Sequence, residues 1–188
     1  MSVDRKPRAD AQRNRERLID AAKAAFAQTG PEASLEEIAR RAEVGIGTLY
    51  RHFPTRDAIV EAVYSRELGQ LTEAAERLLA QMPPLEALRA WLRLSVDYLA
   101  TKRMIAPALN ATPTGTTLYK SGGPALQAGI ARLVQAALAS GEVRPDVQPG
   151  DIFQVLAGVS YGMGAPGWEA SALRLVDILV DGLKASRG

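Results

Sequence analysis

The 188 residues contain no cysteine. A disulfide framework, thiolate metal ligands and a cysteine nucleophile are therefore excluded, and the composition fits a reducing compartment. Histidine occurs once, as His52. No Glu-x-x-His pair exists for a carboxylate metal site. Neither a Gly-x-Ser-x-Gly elbow nor a phosphate-binding loop appears. No stretch approaches the ~20 apolar residues that a membrane span requires. The polar, basic start has no apolar signal segment. These absences argue against an enzyme, against a metal or other cofactor, and against a membrane partner. The expected location is the cytoplasm.

What is present suits a folded helical protein. At 47% hydrophobic and 23% charged the chain can bury a core. The net charge of +2 demands no nucleic-acid partner. Its distribution is more telling. Within residues 1–17, Arg5, Lys6, Arg8, Arg13, Arg15 and Arg17 oppose Asp4, Asp10 and Glu16. A basic arm of this kind lies along phosphates or in a minor groove when a reading element sits beside it; otherwise it is a solvated tail.

The apolar periodicity is helical from end to end, with no convincing strand. The first helix spans about 10–28, with Leu18, Ile19, Ala22, Ala25 and Phe26 on one face, and Gly30 stops it. Residues 34–53 then read as two short helices around a tight turn. Ser34 is an N-cap, and Glu37 three residues later makes a capping box. Leu35, Ile38, Ala39 and Ala42 share one face, and Glu43-Val44-Gly45 is the turn. The second short helix, about 46–53, turns Leu49 and Phe53 inward. Its outer face carries Ile46, Gly47, Thr48, Tyr50, Arg51 and His52. This is the layout of a helix-turn-helix. Thr55 caps a long helix that runs to about Gln81. Further helices are expected at about 85–102, 104–111, 124–140, 149–164 and 169–185, with 112–123 a Thr/Gly/Ser-rich loop. Pro124 and Pro149 each open a helix. The fold class is all-α, with about nine helices.

The 34–53 stretch resembles the DNA-binding region of the TetR family of bacterial transcriptional regulators. The resemblance begins at Leu18-Ile19-Asp20-Ala21-Ala22 and Phe26-Ala27-Gln28-Thr29-Gly30. It continues through Gly47-Thr48-Leu49-Tyr50-Arg51-His52-Phe53 and Thr55-Arg56-Asp57-Ala58. It implies a three-helix helix-turn-helix DNA-binding domain over 1–64, with a basic N-terminal arm. A long helix would join it to a helical effector-binding and dimerisation domain over 65–188. The function implied is a nucleoid-associated repressor. It would bind a palindromic operator in double-stranded DNA as a homodimer and leave it when a small-molecule effector binds. A ligand-independent or architectural DNA-binding protein is the alternative.

Given that resemblance, the DNA-binding residues expected are Ser34, Gly45, Ile46, Gly47, Thr48, Tyr50, Arg51, His52 and Arg56. Gly47 lets the backbone approach closely. Thr48 can meet a phosphate or a thymine methyl, and Tyr50 a phosphate. Arg51 can reach a guanine or a phosphate, or stay solvated. Ser34 can bond a phosphate as well as cap its helix. The family pattern places His52 and Arg56 at phosphates. Many relatives carry Ser-Lys where this chain has Gly45-Ile46. That departure removes a cap and a charged donor and leaves Ile46 for apolar base contact.

In the second half, candidate ligand-lining residues are Trp91, Tyr98, Met104, Tyr119, Phe153, Tyr161, Met163 and Trp168, although for any single one of them core is the favoured reading. Arg93, Asp97, Lys102 and Arg103 read as a solvated face. The candidate dimer surface includes Phe153 together with Ala157, Gly158 and Gly162, and these last three are small enough to allow close helix approach. To these it adds Leu173, Val176, Val180 and Leu183, an apolar seam on the last helix.

Overall fold

Helix accounts for most of the residues that the computed structural model describes, 5–185, with side chains from residue 9. Residues 1–4 and 186–188 lie outside the described residues. So do the side chains of Arg5, Lys6 and Arg8 in the expected basic arm. In chain order the helices are α1 (Arg5–Thr29), α2 (Leu35–Arg41), α3 (Ile46–His52), α4 (Arg56–Leu79), α5 (Pro84–Leu109), α6 (Pro113–Ala139), α7 (Pro149–Tyr161) and α8 (Trp168–Leu183). Among the described residues the only strand-like pairing is one antiparallel bridge, Val143 to Lys184. The all-α expectation holds.

Two boundaries differ from the sequence reading. A single α5 replaces the two helices expected over 85–102 and 104–111, and it runs through Pro107. The expected loop at 112–123 is the first half of α6, and Pro124 lies inside that helix rather than opening it. The reasons are local and tertiary. Gly123 precedes Pro124, so no Cβ meets the proline ring in the helical conformation. Thr112 accepts from the Gly115 amide at 3.0 Å and donates to the Glu61 carboxylate at 3.1 Å. The Tyr64 hydroxyl donates to the Tyr119 carbonyl at 3.3 Å. Gly115 is required there, because a Cβ on it would stand 2.1 Å from the Leu109 carbonyl oxygen.

The chain forms two compact units. The first comprises the described residues as far as Arg66 together with Met104–Tyr119. Leu18, Ile19, Phe26, Ile38, Leu49, Phe53, Ile59, Tyr64, Ile105 and Leu109 are buried in it. The second comprises Glu67–Arg103 and the described residues from Lys120 onward.

The second unit buries Trp91, Leu88, Leu92, Ile130, Leu133, Val134, Val176 and Val180. Burial of this kind stabilises by about 1.5–3 kcal/mol for each large apolar side chain. Ion pairs tie its helices at the rim. Arg89 reaches Asp181 at 2.7 Å, Arg93 reaches Asp177 at 2.7 Å, and Arg132 reaches Glu76 at 2.6 Å. The Arg93 and Arg132 pairs are exposed and contribute little each, while Arg89 is largely buried. The segment after α6 clasps the end of α8, with Arg144 donating to Leu183 and Ala185 to Glu142, both at 3.0 Å.

Candidate nucleic-acid interface

The expected DNA-reading residues gather around α2 and α3 of the first unit. Ser34 is in extended conformation at the head of α2, and its Oγ accepts from the Glu37 amide at 3.1 Å. A cap of this kind contributes about 1 kcal/mol. The other half of the expected capping box is replaced. Glu37 gives its carboxylate to Arg40, through two bonds of 2.8 Å, and to Arg41 at 2.6 Å. Arg41 also donates to Gln28 of α1 at 2.6 Å. The hydrogen bonds from Arg40, and next those from Arg41, hold the Glu37 carboxyl down at about 2.

The turn between α2 and α3 is a Schellman motif. Val44 donates to Ala39 at 3.0 Å and Glu43 to Arg40 at 3.1 Å. The residue in the left-handed position is Glu43, with φ of 52°. Glycine usually stands there, because a Cβ is crowded in that conformation. Arg17 of α1 reaches the Glu43 carboxylate at 3.0 Å.

Gly45 begins α3 without a side-chain cap, as expected from the lost serine. Leu49 and Phe53 are buried and set the roll of the helix. Arg15 stands over the Phe53 ring at 5.3 Å from its centre. Gly45, Gly47 and Arg51 are exposed, as are Ile46 at 38% and Tyr50 at 46%. Thr48 and His52 are half-buried, and the His52 ring lies tilted beside Phe53. The result is a short helix with an apolar back and a face of one isoleucine, one phenol, one guanidinium and bare backbone. Such a face can enter a major groove and offer methyl, hydroxyl and cationic contacts at close backbone approach.

Arg56, at the head of α4, bonds within the chain. Its Nη1 donates to the Pro31 carbonyl at 2.8 Å and to the Ala33 carbonyl at 2.7 Å. Thr55 caps α4 beside it, accepting from the Ala58 amide at 3.1 Å.

The eight expected ligand-lining residues fall in different units and differ in burial. Met104 and Tyr119 belong to the first unit and the other six to the second. Trp91 is fully buried and donates to the Leu71 carbonyl at 2.9 Å, which makes it core. Tyr161 is 91% exposed, Phe153 and Met163 are half-buried, and Trp168 donates to the Val159 carbonyl at 2.7 Å. A cleft of about 200 Å³ does exist in the second unit, lined by Glu67, Gln70, Leu71, Arg77, Leu94, Asp97 and Tyr98. Of the eight, only Tyr98 lines it. The cleft is marked by two residues out of phase with their surroundings, which only the packed helices reveal: Glu67 is buried and Leu94 exposed.

The residues of the expected dimer seam differ in exposure. Val176, Val180 and Leu183 are buried within the single chain, so their face is already taken. Ala157 and Gly158 of the expected surface are exposed, and Val155 of α7 and Leu175 and Ile178 of α8 are exposed as well. Gly162 is exposed, and Leu173 is half-buried. Among the described residues no cluster of three His, Asp or Glu is placed to hold a metal, and no helix is long and apolar enough to cross a membrane.

Residues 18–63 match the family described as bacterial regulatory proteins, tetR family. Residues 83–185 match the C-terminal domain of SbtR-like transcriptional regulators. A TetR transcriptional regulator from Streptomyces coelicolor has a solved structure 41% identical in sequence. It covers 92% of this chain and 99% of its own, with a TM-score of 0.80. A TetR regulatory protein from Mycobacterium vanbaalenii is 35% identical over 95% of this chain and 99% of its own, with a TM-score of 0.76. The transcriptional regulator UidR of Escherichia coli is 25% identical over 95% of this chain and 93% of its own length.

Proposed function

This chain belongs to the TetR family of bacterial regulatory proteins and is a helix-turn-helix transcriptional regulator, and from that premise we propose that it is a repressor. As a homodimer in the cytoplasm it binds a palindromic operator, and a small molecule entering the second unit releases it. The observation that carries the reading is the outer face of α3. Ile46, Gly47, Tyr50 and Arg51 project from a helix whose roll is fixed by buried Leu49 and Phe53. Ile46 and Thr48 read bases, while Tyr50, His52 and Ser34 hold phosphates.

The cleft beside Tyr98 is the place we assign to the effector. At about 200 Å³ it is larger than the ~150 Å³ cavities that accept benzene. Its lining mixes two carboxylates, a guanidinium, an amide and a phenol with two leucines, which suits a small, partly polar molecule. A protein of the same fold, SmeT, has been solved in complex with triclosan. Dimerisation is assigned to the exposed apolar face of α7 and α8, since such a patch marks an interaction surface.

The test is a binding selection on randomised duplex DNA, followed by a compound screen on the selected duplex. The expected motif is a palindrome, with half-sites about one helical turn apart or a multiple of it. A motif without two-fold symmetry sinks the dimeric-operator reading. A duplex that no compound releases, with Leu94→Trp in the cleft also without effect, sinks the effector reading.

A further inference from the structure

We propose that Arg56 is a positioning residue for DNA binding, which clamps the loop ahead of α2 and so fixes Ser34 and the head of that helix. The proposal rests on the DNA-binding reading above, and it departs from the direct phosphate contact that the family pattern implies for this position. Arg56 is the first residue of α4. Its Nη1 carries two hydrogens, and two backbone carbonyls, those of Pro31 and Ala33, lie at 2.8 and 2.7 Å from it. Both protons of that nitrogen therefore point into the protein rather than toward a ligand. The side chain is half-buried.

The carbonyls that it holds belong to the turn joining α1 to α2, in which Ala33 also donates to Gly30 at 3.1 Å. Ala33 is itself buried, and Ser34 follows it directly. Thr55 fixes the other end by capping α4, and Phe53 anchors the chain before it. One guanidinium nitrogen thus couples the entries of two helices through carbonyls 25 and 23 residues before it in sequence. A charged donor to a neutral carbonyl is stronger than a neutral pair, and its geometry is set by the planar fork. Without it, the loop would keep the Ser34 cap but lose the tether that sets where the capped helix end stands.

Two measurements decide between positioning and phosphate contact. The first needs no DNA: amide hydrogen exchange over 31–38 in wild type and Arg56→Met. A clamp predicts exchange at least tenfold faster there in the variant; a side chain that waits for a phosphate predicts no change. The second uses a duplex enriched by wild type from a random pool, titrated over a salt series with wild type, Arg56→Met, Ser34→Ala and the double variant. Positioning predicts that Arg56→Met weakens binding about tenfold at every salt concentration, with the slope of log affinity against log salt unchanged. It also predicts little further loss in the Ser34→Ala background, because both substitutions disable one contact. A slope smaller by roughly 0.9 per subunit, with losses that multiply, would overturn the proposal in favour of a phosphate contact. If Arg56→Met does not fold, Arg56→Gln carries the same comparison, because its amide ends short of the two carbonyls. A wild type that enriches no duplex is a separate result. It would overturn the DNA-binding reading and this proposal with it.

Discussion

The indole nitrogen of Trp91 donates to the Leu71 carbonyl at 2.9 Å, and the same ring stands where a side chain on Gly129 would go. A Cβ there would lie 2.3 Å from the ring. Glycine inside a helix normally costs up to about 1 kcal/mol relative to alanine. Here the sign reverses: Gly129→Ala should lower stability by about 1–3 kcal/mol through overpacking. Gly69, inside α4 with nothing near its Cβ position, is the control. Gly69→Ala should gain about 0.5–1 kcal/mol. Urea unfolding followed by circular dichroism checks both, and equal shifts for the two variants would show that Trp91 moves aside freely.

Glu43 sits where the turn between α2 and α3 needs a left-handed residue. Glu43→Gly should raise stability by about 0.5–1 kcal/mol, since the strain relieved exceeds the entropy that glycine adds to the unfolded chain. The Arg17 pair lost in the exchange is exposed and contributes little. Glu43→Val should destabilise, because a β-branched side chain tolerates that conformation poorly. A thermal melt in which glycine lowers the midpoint would contradict this account of the turn.

Glu37 sets an acid dependence. Its carboxyl is held at about 2 in the fold against an ordinary value of 4.5, chiefly by Arg40 and then Arg41. A carboxylate depressed by folding stabilises above its unfolded value, and that contribution drains away as pH falls through the folded one. Wild type should therefore exceed Glu37→Gln in stability above about pH 4.5, with the gap closing between there and about pH 2. High salt should narrow the gap, since Glu37 is partly exposed. A gap constant from pH 6 to 2 would assign the effect to something other than this charge.

The dimer assignment makes a prediction about two residues that touch little in their own chain. Ile178 is 67% exposed on α8, and a Cβ on Gly158 of α7 would meet nothing within 4 Å. Ile178→Asp and Gly158→Leu should each shift the protein from dimer to monomer in light scattering at micromolar concentration, with the helical signal kept. Dimers persisting in both variants would place the interface elsewhere.

Substitutions on α3 separate reading from holding. Tyr50→Phe removes a hydroxyl that we assign to a phosphate, so it should weaken all duplexes about equally and keep the selected motif. Ile46→Lys should change the preferred base at one or two positions of each half-site, by about 1–3 kcal/mol per lost contact. A motif indifferent to residue 46 would remove α3 as the reader.

Much of this architecture was legible in the sequence because its signals are local. Ser34 and Thr55 announce their helices through hydroxyls that reach an amide three residues on, and both bonds form. Leu49 and Phe53, four apart, are buried as their spacing requires. Tertiary decisions were not legible. Glu37 had two suitors, the cap amide and two arginines, and the charged pair won. The Thr/Gly-rich start of α6 is a poor helix on propensity alone, yet Thr112 and Tyr119 find partners in Glu61 and Tyr64, and Gly115 leaves room for the Leu109 carbonyl. The seam of Val176, Val180 and Leu183 was correctly read as apolar, but periodicity does not say which chain covers it. The aromatics drew attention as pocket walls. The cleft is marked instead by a buried glutamate and an exposed leucine, a mismatch visible only once the helices are placed.

Trp91 and Trp168 are the chain's two tryptophans, and both belong to the second unit. Indole emission is therefore a one-sided reporter. Excited at the red edge of absorption, the protein will signal events around the cleft and the α7–α8 corner, and the helix-turn-helix will stay dark. Trp91, sealed in the core, should emit far to the blue, while Trp168, half-buried with Tyr161 standing exposed nearby in sequence, should emit further to the red and respond to a quencher in solution. Trp168→Phe would leave a single buried lamp beside Leu71 of the cleft wall, and Trp91→Phe a single one at the corner. DNA and effector can then be watched separately with no dye attached: the first through anisotropy of a labelled duplex, the second through the protein's own light.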